Sequence, residues 1–493
     1  MRSVNKHNTR ACRILFINAI NSQREVETRY PSLAFGYMIG TLQREFAQGT
    51  FEFKVADRDI ETEFLASGFQ PDVVCISAVT QNFNRAKAYA RAIKSSYQIP
   101  VIVGGIHITE LPENLTTHMD VGVIGEGEIK LCTLMRIYLE KGGLPAEELE
   151  KVNGITFWKD GQRIQTKPEE LVPDIANLPL PAREYLPMSK HTYMFTSRGC
   201  PYKCTFCAST RFYQTVRWHP AQRVVEEVEH LVEKYGVNLI SLHDDLFAAN
   251  RKRMRELGVL FKERGLIGRV RFTLNARANI VNQELCDLMN EMGVVSVNMG
   301  LESGCQKTLD YLKGGVTVEQ NWNAIQLLRR NKIFTSGSFI IGCPNETRED
   351  ILETFRFFKK LPLAVTDVYI LMPLPGTPVW YHALERGMVS NNMDWDQINI
   401  RFSEKSILMS EVMSYPELKQ LYKAFLRERF LKLVKGIPQH PYAQDLPKLA
   451  LKYLASFSRT TLDNFKKRSK TGARKDPFVE ALSEHDEHLI AAC

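Results

Sequence analysis

Between residues 191 and 385 the sequence repeats one pattern, in which a short β-rich apolar run is followed by a longer segment with apolar residues at helical spacing. The repeat predicts six strands with five helices between them. The strands are expected at 192–197, 238–243, 270–275, 294–301, 334–341 and 367–372. Strands that alternate with helices in this way pair in parallel. Six units predict an open, partial version of the (β/α)8 barrel, with its chemistry at the carboxyl ends of the strands.

The loop after the first of these strands carries three cysteines, Cys200, Cys204 and Cys207, in the sequence T-S-R-G-C-P-Y-K-C-T-F-C-A-S. Thiols this close together cannot meet disulfide geometry among themselves, but their spacing suits one [4Fe–4S] cluster. Such a cluster normally takes four thiolates, so one iron would lack a protein ligand. A zinc site is the alternative, although it would need a fourth ligand and usually shows paired Cys-x-x-Cys motifs.

Cys-x-x-x-Cys-x-x-Cys with Phe206 before the third cysteine resembles the signature loop of the radical S-adenosylmethionine (SAM) superfamily. The resemblance implies that the open iron binds the amino and carboxylate groups of SAM. It also implies that an electron from the cluster cleaves a sulfonium C–S bond, which yields a 5′-deoxyadenosyl radical able to abstract hydrogen from unactivated carbon.

Polar residues at the ends of the predicted strands resemble the corresponding SAM-binding motifs of that superfamily. By this resemblance, Asp244 or Asp245 would hold the amino group of SAM, and Glu302 would hydrogen-bond its ribose. Arg277 would pair with the carboxylate, a charge-assisted contact suited to a guanidinium fork. The implied adenine contacts are the backbone near Phe206 and Gly342 and the side chain of Leu374.

Residues 1–150 also alternate between strand and helix, which predicts a Rossmann-like, doubly wound parallel sheet. The expected strands are 12–20, 51–56, 73–77, 100–103 and 121–124, and the expected helices are 31–46, 84–95 and 128–140. Ligands of such sheets lie at the carboxyl ends of the strands. The loops at those ends contain glycines, which let the backbone approach a bulky ligand, together with hydroxyl and carboxylate side chains.

These loops resemble the cobalamin-binding domain that precedes the radical core in one branch of the superfamily, well for residues 70–130 and loosely for the first 70. The resemblance implies cobalamin contacts from Ser77, Thr80, Gly104, Gly105, His107, Gly125, Glu126, Gly127 and Glu128. The chain lacks the Asp-x-His-x-x-Gly motif that supplies a histidine to cobalt, so His107 is expected to be structural. The alternative is an inherited Rossmann-like domain that no longer holds cobalamin.

Residues 151–190 are expected to link the two α/β domains. The Asp160-Gly161 pair predicts a hairpin over 154–166, and the proline-rich passage 173–187 predicts a stiff, extended connection. The expected domains are therefore 1–150, the linker 151–190, the core 191–385, and a small, mostly helical region over 386–493. A long helix over 416–435, with Phe430 among the residues turned to the core, is expected to help close the substrate cavity.

Composition supports an ordinary globular protein, with 44% apolar and 24% charged residues. The sequence shows no apolar run long enough to span a bilayer and no signal-peptide core, and its ten scattered cysteines suit a reducing compartment, so the cytoplasm is expected. Much of the net charge of +8 lies in 465–475. A solvated tail is the favoured interpretation of that stretch, and nucleic acid is not an expected partner.

The combined prediction is a cobalamin-dependent radical SAM enzyme that methylates an unactivated carbon of a small biosynthetic intermediate. Its cofactors would be a [4Fe–4S] cluster, SAM and cobalamin, and its electron donor a protein such as flavodoxin or ferredoxin. One alternative is a ring closure, dehydration or rearrangement with a vestigial first domain. A tRNA-modifying radical enzyme is less favoured, because sulfur-inserting members carry an extra cysteine trio and a C-terminal β-barrel. A non-enzymatic cobalamin sensor gives no reason for the three cysteines.

Overall fold

The computed structural model describes residues 10–20, 32–56, 68–169, 171–172, 174–213, 215–403 and 405–436. Within these residues the chain forms a seven-stranded sheet, a six-stranded sheet and a two-stranded ribbon. The basic stretch 465–475 lies outside the described residues. In the part of the chain that is described, no helix is both long and apolar enough to cross a membrane.

The first sheet confirms the predicted Rossmann-like, doubly wound architecture. Its parallel part has the order β2-β1-β3-β4-β5, where β1 is Cys12–Asn18, β2 is Phe51–Ala56, β3 is Val73–Ser77, β4 is Val101–Gly104 and β5 is Val121–Val123. The longer helices beside it are Leu33–Glu45, Phe83–Tyr97 and Glu128–Lys141, and the shorter ones are Ile106–Glu110 and Ala146–Leu149. Residues of Phe83–Tyr97 pack against one set of strand side chains, and residues of Leu33–Glu45 and Glu128–Lys141 against the other, so both faces are covered.

The hairpin that we assigned to the linker belongs to this first sheet. Its strands, β6 (Ile155–Lys159) and β7 (Gln162–Gln165), are joined at Asp160 and Gly161, whose positive φ angles of 50° and 75° fit a two-residue hairpin turn. β6 pairs antiparallel with β5, which extends the sheet by two strands. We therefore propose that the first domain continues to Gln165.

Six of the described strands form the second sheet, all parallel and in chain order. They are β8 (His191–Met194), β11 (Leu239–Leu242), β12 (Arg271–Ala276), β13 (Val294–Glu302), β14 (Phe334–Ile341) and β15 (Val365–Ile370), and the ribbon β9–β10 (Ser197–Arg198 and Arg217–Trp218) lies between β8 and β11 in sequence. The longer helices between the strands are Ala221–Tyr235, Arg251–Glu263, Gln283–Glu291, Gln306–Lys313, Val318–Arg330 and Arg348–Lys360, and a short helix, Ser209–Phe212, lies between β9 and β10. The partial barrel is confirmed, and Gln306–Lys313 is a helix that the pattern did not predict.

Alternation along these strands gives the curled sheet two chemically different faces. Apolar side chains such as Ile240, Phe272 and Phe339 belong to the core that includes the covering helices. Polar side chains of the opposite, inner face hydrogen-bond to one another across strands, for example Thr273 Oγ1 to Ser241 Oγ at 2.9 Å. The second sheet therefore has an apolar outer face and a polar inner face.

Beyond β15 the chain forms the helix Pro378–Glu385 and, later, the helix Tyr415–Gly436, which lies against β15. Arg429 of the second helix donates from Nε to the Thr366 carbonyl at 2.7 Å and pairs with Asp367 Oδ1 at 2.9 Å. The predicted long helix is confirmed, but Phe430 is 40% exposed and does not face the core. The helix covers β15, the last strand of the second sheet.

Candidate functional site

The three-cysteine loop begins directly after β9 and needs a glycine at its start. Gly199 has a φ of +94°, and a Cβ placed on it would lie 2.7 Å from the Thr215 carbonyl oxygen, so a side chain there would collide with backbone. Cys200, Cys204 and Cys207 are each half-buried, and none of the described cysteines forms a disulfide. The six other described cysteines are all buried.

The surroundings of Cys200 and Cys207 suit sulfur that becomes charged only when a cation is bound, because burial raises the pKa of both thiols. The pKa of Cys200 rises to about 11, and nearby Asp245 and the other two cysteines contribute to this rise together with burial. Backbone N–H groups donate to the sulfurs of Cys200 and Cys207, which favours their thiolate forms. This donor set fits an iron–sulfur cluster. Among the described residues, no three His, Cys, Asp or Glu side chains form a group that could hold a single metal ion.

Arg277, at the end of β12, lies beside the cysteine loop. Its Nη1 is 3.4 Å from Cys204 Sγ, its Nη2 donates to the Lys313 carbonyl at 2.6 Å, and its guanidinium carbon is 4.1 Å from the centre of the Tyr202 ring. The guanidinium predicted to bind the SAM carboxylate is thus next to a predicted metal ligand. Tyr202 and Lys313 were not among the predicted site residues.

The two aspartates after β11 have different surroundings. Asp244 is fully buried, and its oxygens accept from the Thr196 amide at 2.5 Å, the Ser197 amide at 3.2 Å and the Thr196 hydroxyl. Asp245 is exposed and accepts from Ser209 Oγ at 2.5 Å. Asp244 therefore supports the chain before the cysteine loop, and Asp245 is the better candidate for a ligand contact.

Glu302 lies at the end of β13 with an unusual backbone. Its φ is +60°, and the register of the pairing with β14 shifts between Gly300 and Glu302. The buried carboxylate pairs with Lys313 Nζ at 3.3 Å. Arg277 contacts the Lys313 carbonyl, so Lys313 is a neighbour of both predicted SAM contacts, Arg277 and Glu302.

The predicted adenine contacts come from three places in the chain: Gly342 follows β14, Leu374 follows β15, and Phe206 lies in the cysteine loop. Phe206 and Leu374 pack against the same apolar cluster. Gly342 has a φ of +84°, and its amide donates to Glu346 Oε2 at 2.6 Å. Burial raises the pKa of Glu346 to about 7, although the amides of Cys343 and Gly342 work against the shift. Glu346, which organises this loop, was missed because only the fold brings its carboxylate back onto the glycine amide.

Two glycines in the loops of the first sheet, Gly104 and Gly125, have few described atoms beside them; a Cβ placed on Gly125 would have Lys130 Nζ, at 3.9 Å, as its one described neighbour within 4 Å. A Cβ placed on Gly104 would have Val123 Cβ, at 4.0 Å, as its one described neighbour within 4 Å. At Gly105, with a φ of +100°, a Cβ would lie 2.5 Å from the Ala78 carbonyl oxygen, and at Gly127 it would lie 2.8 Å from Met38 Cε. The glycines therefore differ in role: Gly104 leaves open space that fits a bulky cofactor, whereas Gly105 and Gly127 allow close packing.

The other predicted residues of this region surround Gly104. Ser77 is half-buried at the end of β3, and Thr80 is buried three residues later. Gly125, with a φ of +80°, donates its amide to Thr109 Oγ1 at 3.0 Å, which joins the loop after β5 to the helix after β4. Ser77, Gly104 and Gly125 thus follow neighbouring strands at one edge of the sheet.

His107 is a core side chain in this structure. Its ring stacks on Phe83 with 3.8 Å between ring centres and meets Trp395 edge-on at 4.5 Å. Nε2 lies 3.4 Å from Asn114 Oδ1, and burial lowers the pKa of His107 to about 3. This packing matches the structural role expected for His107, because its ring lies between Phe83 and Trp395.

Glu126 and Glu128 face the second domain. Glu126 Oε1 accepts from Arg198 Nη1 at 2.5 Å and from Arg217 Nη2 at 2.8 Å, and Glu128 pairs with Arg198 Nη2. Their carboxylates are thus used by arginines of the ribbon β9–β10 and not directed at the space beside Gly104. These arginines were missed because nothing in the local sequence identifies their distant partners.

Two family profiles match separate parts of the chain. The Radical SAM superfamily profile matches residues 194–358, and the B12 binding domain profile matches residues 25–134. An uncharacterized methyltransferase of Pyrococcus horikoshii is 31% identical over 392 residues, which cover 76% of this chain and 82% of that protein. The anaerobic magnesium-protoporphyrin IX monomethyl ester cyclase of Cereibacter sphaeroides is 27% identical, covering 81% of this chain and 68% of that protein.

Solved structures share the fold. The cobalamin-dependent S-adenosylmethionine radical enzyme OxsB with aqua-cobalamin bound superposes with a TM-score of 0.63 and 17% identity, covering 90% of this chain and 75% of that chain. At this level of identity the comparison supports the arrangement of the two α/β domains and nothing about individual residues.

Proposed function

Because the chain belongs to the radical SAM superfamily, in the branch with a B12-binding domain, we propose that it methylates an unactivated carbon of a small biosynthetic intermediate. Its domains imply a [4Fe–4S] cluster, SAM and cobalamin as cofactors. The proposal is carried by one observation: Arg198 joins the cysteine loop of the core to the glycine loop of the first domain. The predicted sites of the two cofactors are therefore neighbours.

In this proposal the cysteine loop holds the cluster through Cys200, Cys204 and Cys207. When bound, the cofactors supply a radical that removes hydrogen from carbon and a methyl group that replaces it. Arg277 binds the SAM carboxylate, since its guanidinium already lies 3.4 Å from Cys204 Sγ. Asp245 accepts from the SAM amino group on the other side of the loop.

Further contacts would orient SAM and the substrate. Glu302 accepts from the ribose hydroxyls, and the backbone at Gly342 borders the adenine. The substrate lies on the polar inner face of the second sheet, where Asn298 contacts both Asn275 Oδ1 at 3.3 Å and Ser336 Oγ at 3.0 Å. Gly104 leaves room for cobalamin at the facing edge of the first sheet. A protein such as flavodoxin or ferredoxin supplies the electrons.

A ring-closing reaction is the second candidate. The cyclase of Cereibacter sphaeroides matches 81% of this chain, and a second cyclase of the same name from Rubrivivax gelatinosus is 27% identical over 460 residues. The same cofactors would then generate a substrate radical that forms a new ring without receiving a methyl group. The fate of the methyl group of SAM separates the two candidates.

The protein is first purified and reconstituted without air. Its iron, sulfide and cobalamin contents per chain are then quantified. Reduced enzyme is then incubated with SAM carrying a 13C-labelled methyl group and with candidate intermediates. We expect about one cluster and one cobalamin per chain, 5′-deoxyadenosine as a product, and 13C in the product.

The role of the cluster is tested with a chain in which Cys200, Cys204 and Cys207 are replaced by alanine. The matched control is Cys286→Ala, which removes a buried core thiol. The first variant should form no 5′-deoxyadenosine, and the second should behave as the unmodified chain. Substrate-dependent formation of 5′-deoxyadenosine with no label in the product would refute methylation and favour ring closure. Failure to bind any cluster would refute both.

A further inference from the structure

Four charged side chains form a buried group between the two domains, which we call the arginine–glutamate group: Glu126, Glu128, Arg198 and Arg217. Glu126 accepts from both arginines, at 2.5 Å from Arg198 and 2.8 Å from Arg217, while Arg198 also pairs with Glu128. Glu126 Oε2 accepts as well from the Val172 amide at 2.8 Å. The side chains are between 4% and 11% exposed, so water is largely excluded from a group with two positive and two negative charges.

The positions of these residues in the chain connect the two predicted cofactor loops. Arg198 and Arg217 are paired across the ribbon β9–β10, and a single residue, Gly199, separates Arg198 from Cys200. Glu126 lies in the loop that begins at Gly125, and Glu128 is the first residue of the helix that follows it. A displacement of that loop would therefore reach Cys200 through the side chains of Glu126 and Arg198 and two peptide bonds.

The contacts of the arginine–glutamate group also oppose movement of the first domain along the ribbon β9–β10. Arg198 uses both terminal nitrogens, one on each glutamate, and such two-pronged contacts fix direction as well as distance. Burial acts to raise the pKa of Glu126, but the hydrogen bonds and charges of Arg217 and Arg198 outweigh it, so that its pKa lies below the usual value. The carboxylate of Glu126 thus remains charged near neutral pH, and losing one contact would leave a buried charge unpaired.

We propose that Arg198 is a positioning residue that couples cobalamin binding in the first domain to the state of the iron–sulfur cluster in the second. The inference rests on the proposed function, since it takes the loops at Gly104 and Gly125 as the cobalamin site and the loop Cys200–Cys207 as the cluster site. Coupling of this kind is reciprocal: the factor by which the cluster changes cobalamin affinity equals the factor by which cobalamin changes cluster affinity.

The test measures binding and spectroscopy, not turnover. The dissociation constant of hydroxocobalamin is determined for chain with and without the cluster, and the electron paramagnetic resonance spectrum and midpoint potential of the reduced cluster are recorded with and without cobalamin. In the unmodified chain we expect at least a fivefold difference between the two dissociation constants and a cobalamin-dependent change in the cluster spectrum. In Arg198→Met the ratio of the two dissociation constants should lie within twofold of one, and the variant should still bind the cluster.

Two further variants keep the test informative if Arg198→Met folds poorly. Arg198→Lys keeps the charge but loses the two-pronged contact, and Glu128→Gln removes one of its partners; both should show an intermediate ratio. Arg264→Met, which removes a surface arginine paired with Glu229, should leave the ratio unchanged.

The outcomes separate this inference from the proposed function. If the unmodified chain binds cobalamin with no difference between the two dissociation constants, or if Arg198→Met keeps the full difference, the coupling is refuted while the proposed function stands. If the unmodified chain binds no cobalamin at all, both are refuted.

Discussion

Replacing Glu227 with glutamine is expected to lower the stability of the protein by about 3 kcal/mol. Glu227 lies on the helix Ala221–Tyr235 and pairs with Arg183 at 2.8 Å, and each side chain is 1% exposed. Arg183 also donates to the Tyr193 carbonyl at 2.8 Å and to Thr192 Oγ1 at 3.2 Å, so it cannot turn away to solvent without breaking these bonds.

The magnitude follows from the burial of the pair. Removing one partner of a buried ion pair costs about 3–5 kcal/mol, because the remaining charge is uncompensated. Glutamine keeps one oxygen that can accept a hydrogen bond, which places the expected cost at the lower end. For a domain of about 150–250 residues, each kcal/mol lowers Tm by about 2–4 °C, so the expected decrease is about 6–12 °C.

The matched control lies two residues further along the same helix. Glu229 pairs with Arg264 at 3.2 Å, but these side chains are 24% and 45% exposed, so Glu229→Gln should cost about 1 kcal/mol or less. Thermal unfolding of cofactor-free protein, followed by circular dichroism and calorimetry, compares the two variants. Equal Tm values for Glu227→Gln and Glu229→Gln would refute the reasoning from burial.

Three further predictions concern the candidate site. Gly104→Val should weaken cobalamin binding at least tenfold in equilibrium titrations, while its Tm stays within about 2 °C of that of the unmodified chain. The reason is that the valine side chain fills the open space and not the packed side of the loop. An unchanged affinity would place cobalamin elsewhere. His107→Phe should leave the electron paramagnetic resonance spectrum of bound cob(II)alamin unchanged, since the ring is packed between Phe83 and Trp395; a changed axial ligand would contradict this packing. Glu346 has its pKa raised from 4.5 to about 7, so its contribution to stability is complete below about pH 4.5 and is lost as the pH rises to about 7. The Tm of Glu346→Gln should therefore rise relative to that of the unmodified chain between pH 5 and pH 7, and a constant difference would refute the raised pKa.

The architecture of both sheets could be predicted because periodicity is a local property of the sequence. β14 was predicted with the observed bounds, and β13 was predicted to within one residue. The helix Gln306–Lys313 was missed because it follows β13 after only a short turn and has few apolar positions to mark it. The position of β6 beside β5, with β7 at the edge of the sheet, was also missed, since this pairing depends on the rest of the sheet.

Side-chain roles were less accessible to sequence reasoning, because they depend on partners far along the chain. Asp244 and Asp245 are adjacent and chemically identical, and only the fold shows that Thr196 occupies the first of them. Arg198 looks like any residue before a glycine until Glu126 and Glu128 are placed beside it.

The strict chain order of the second sheet has a consequence for how the protein is made. Each new strand from β12 to β15 pairs with the strand synthesised just before it, so from β11 onward the growing chain presents a complete sheet edge to the next strand. The first sheet can likewise close once β7 has emerged, before any cysteine of the loop has left the tunnel. Assembly can therefore proceed from the amino terminus without long waits for distant partners, and the first domain can form before the cysteine loop is available.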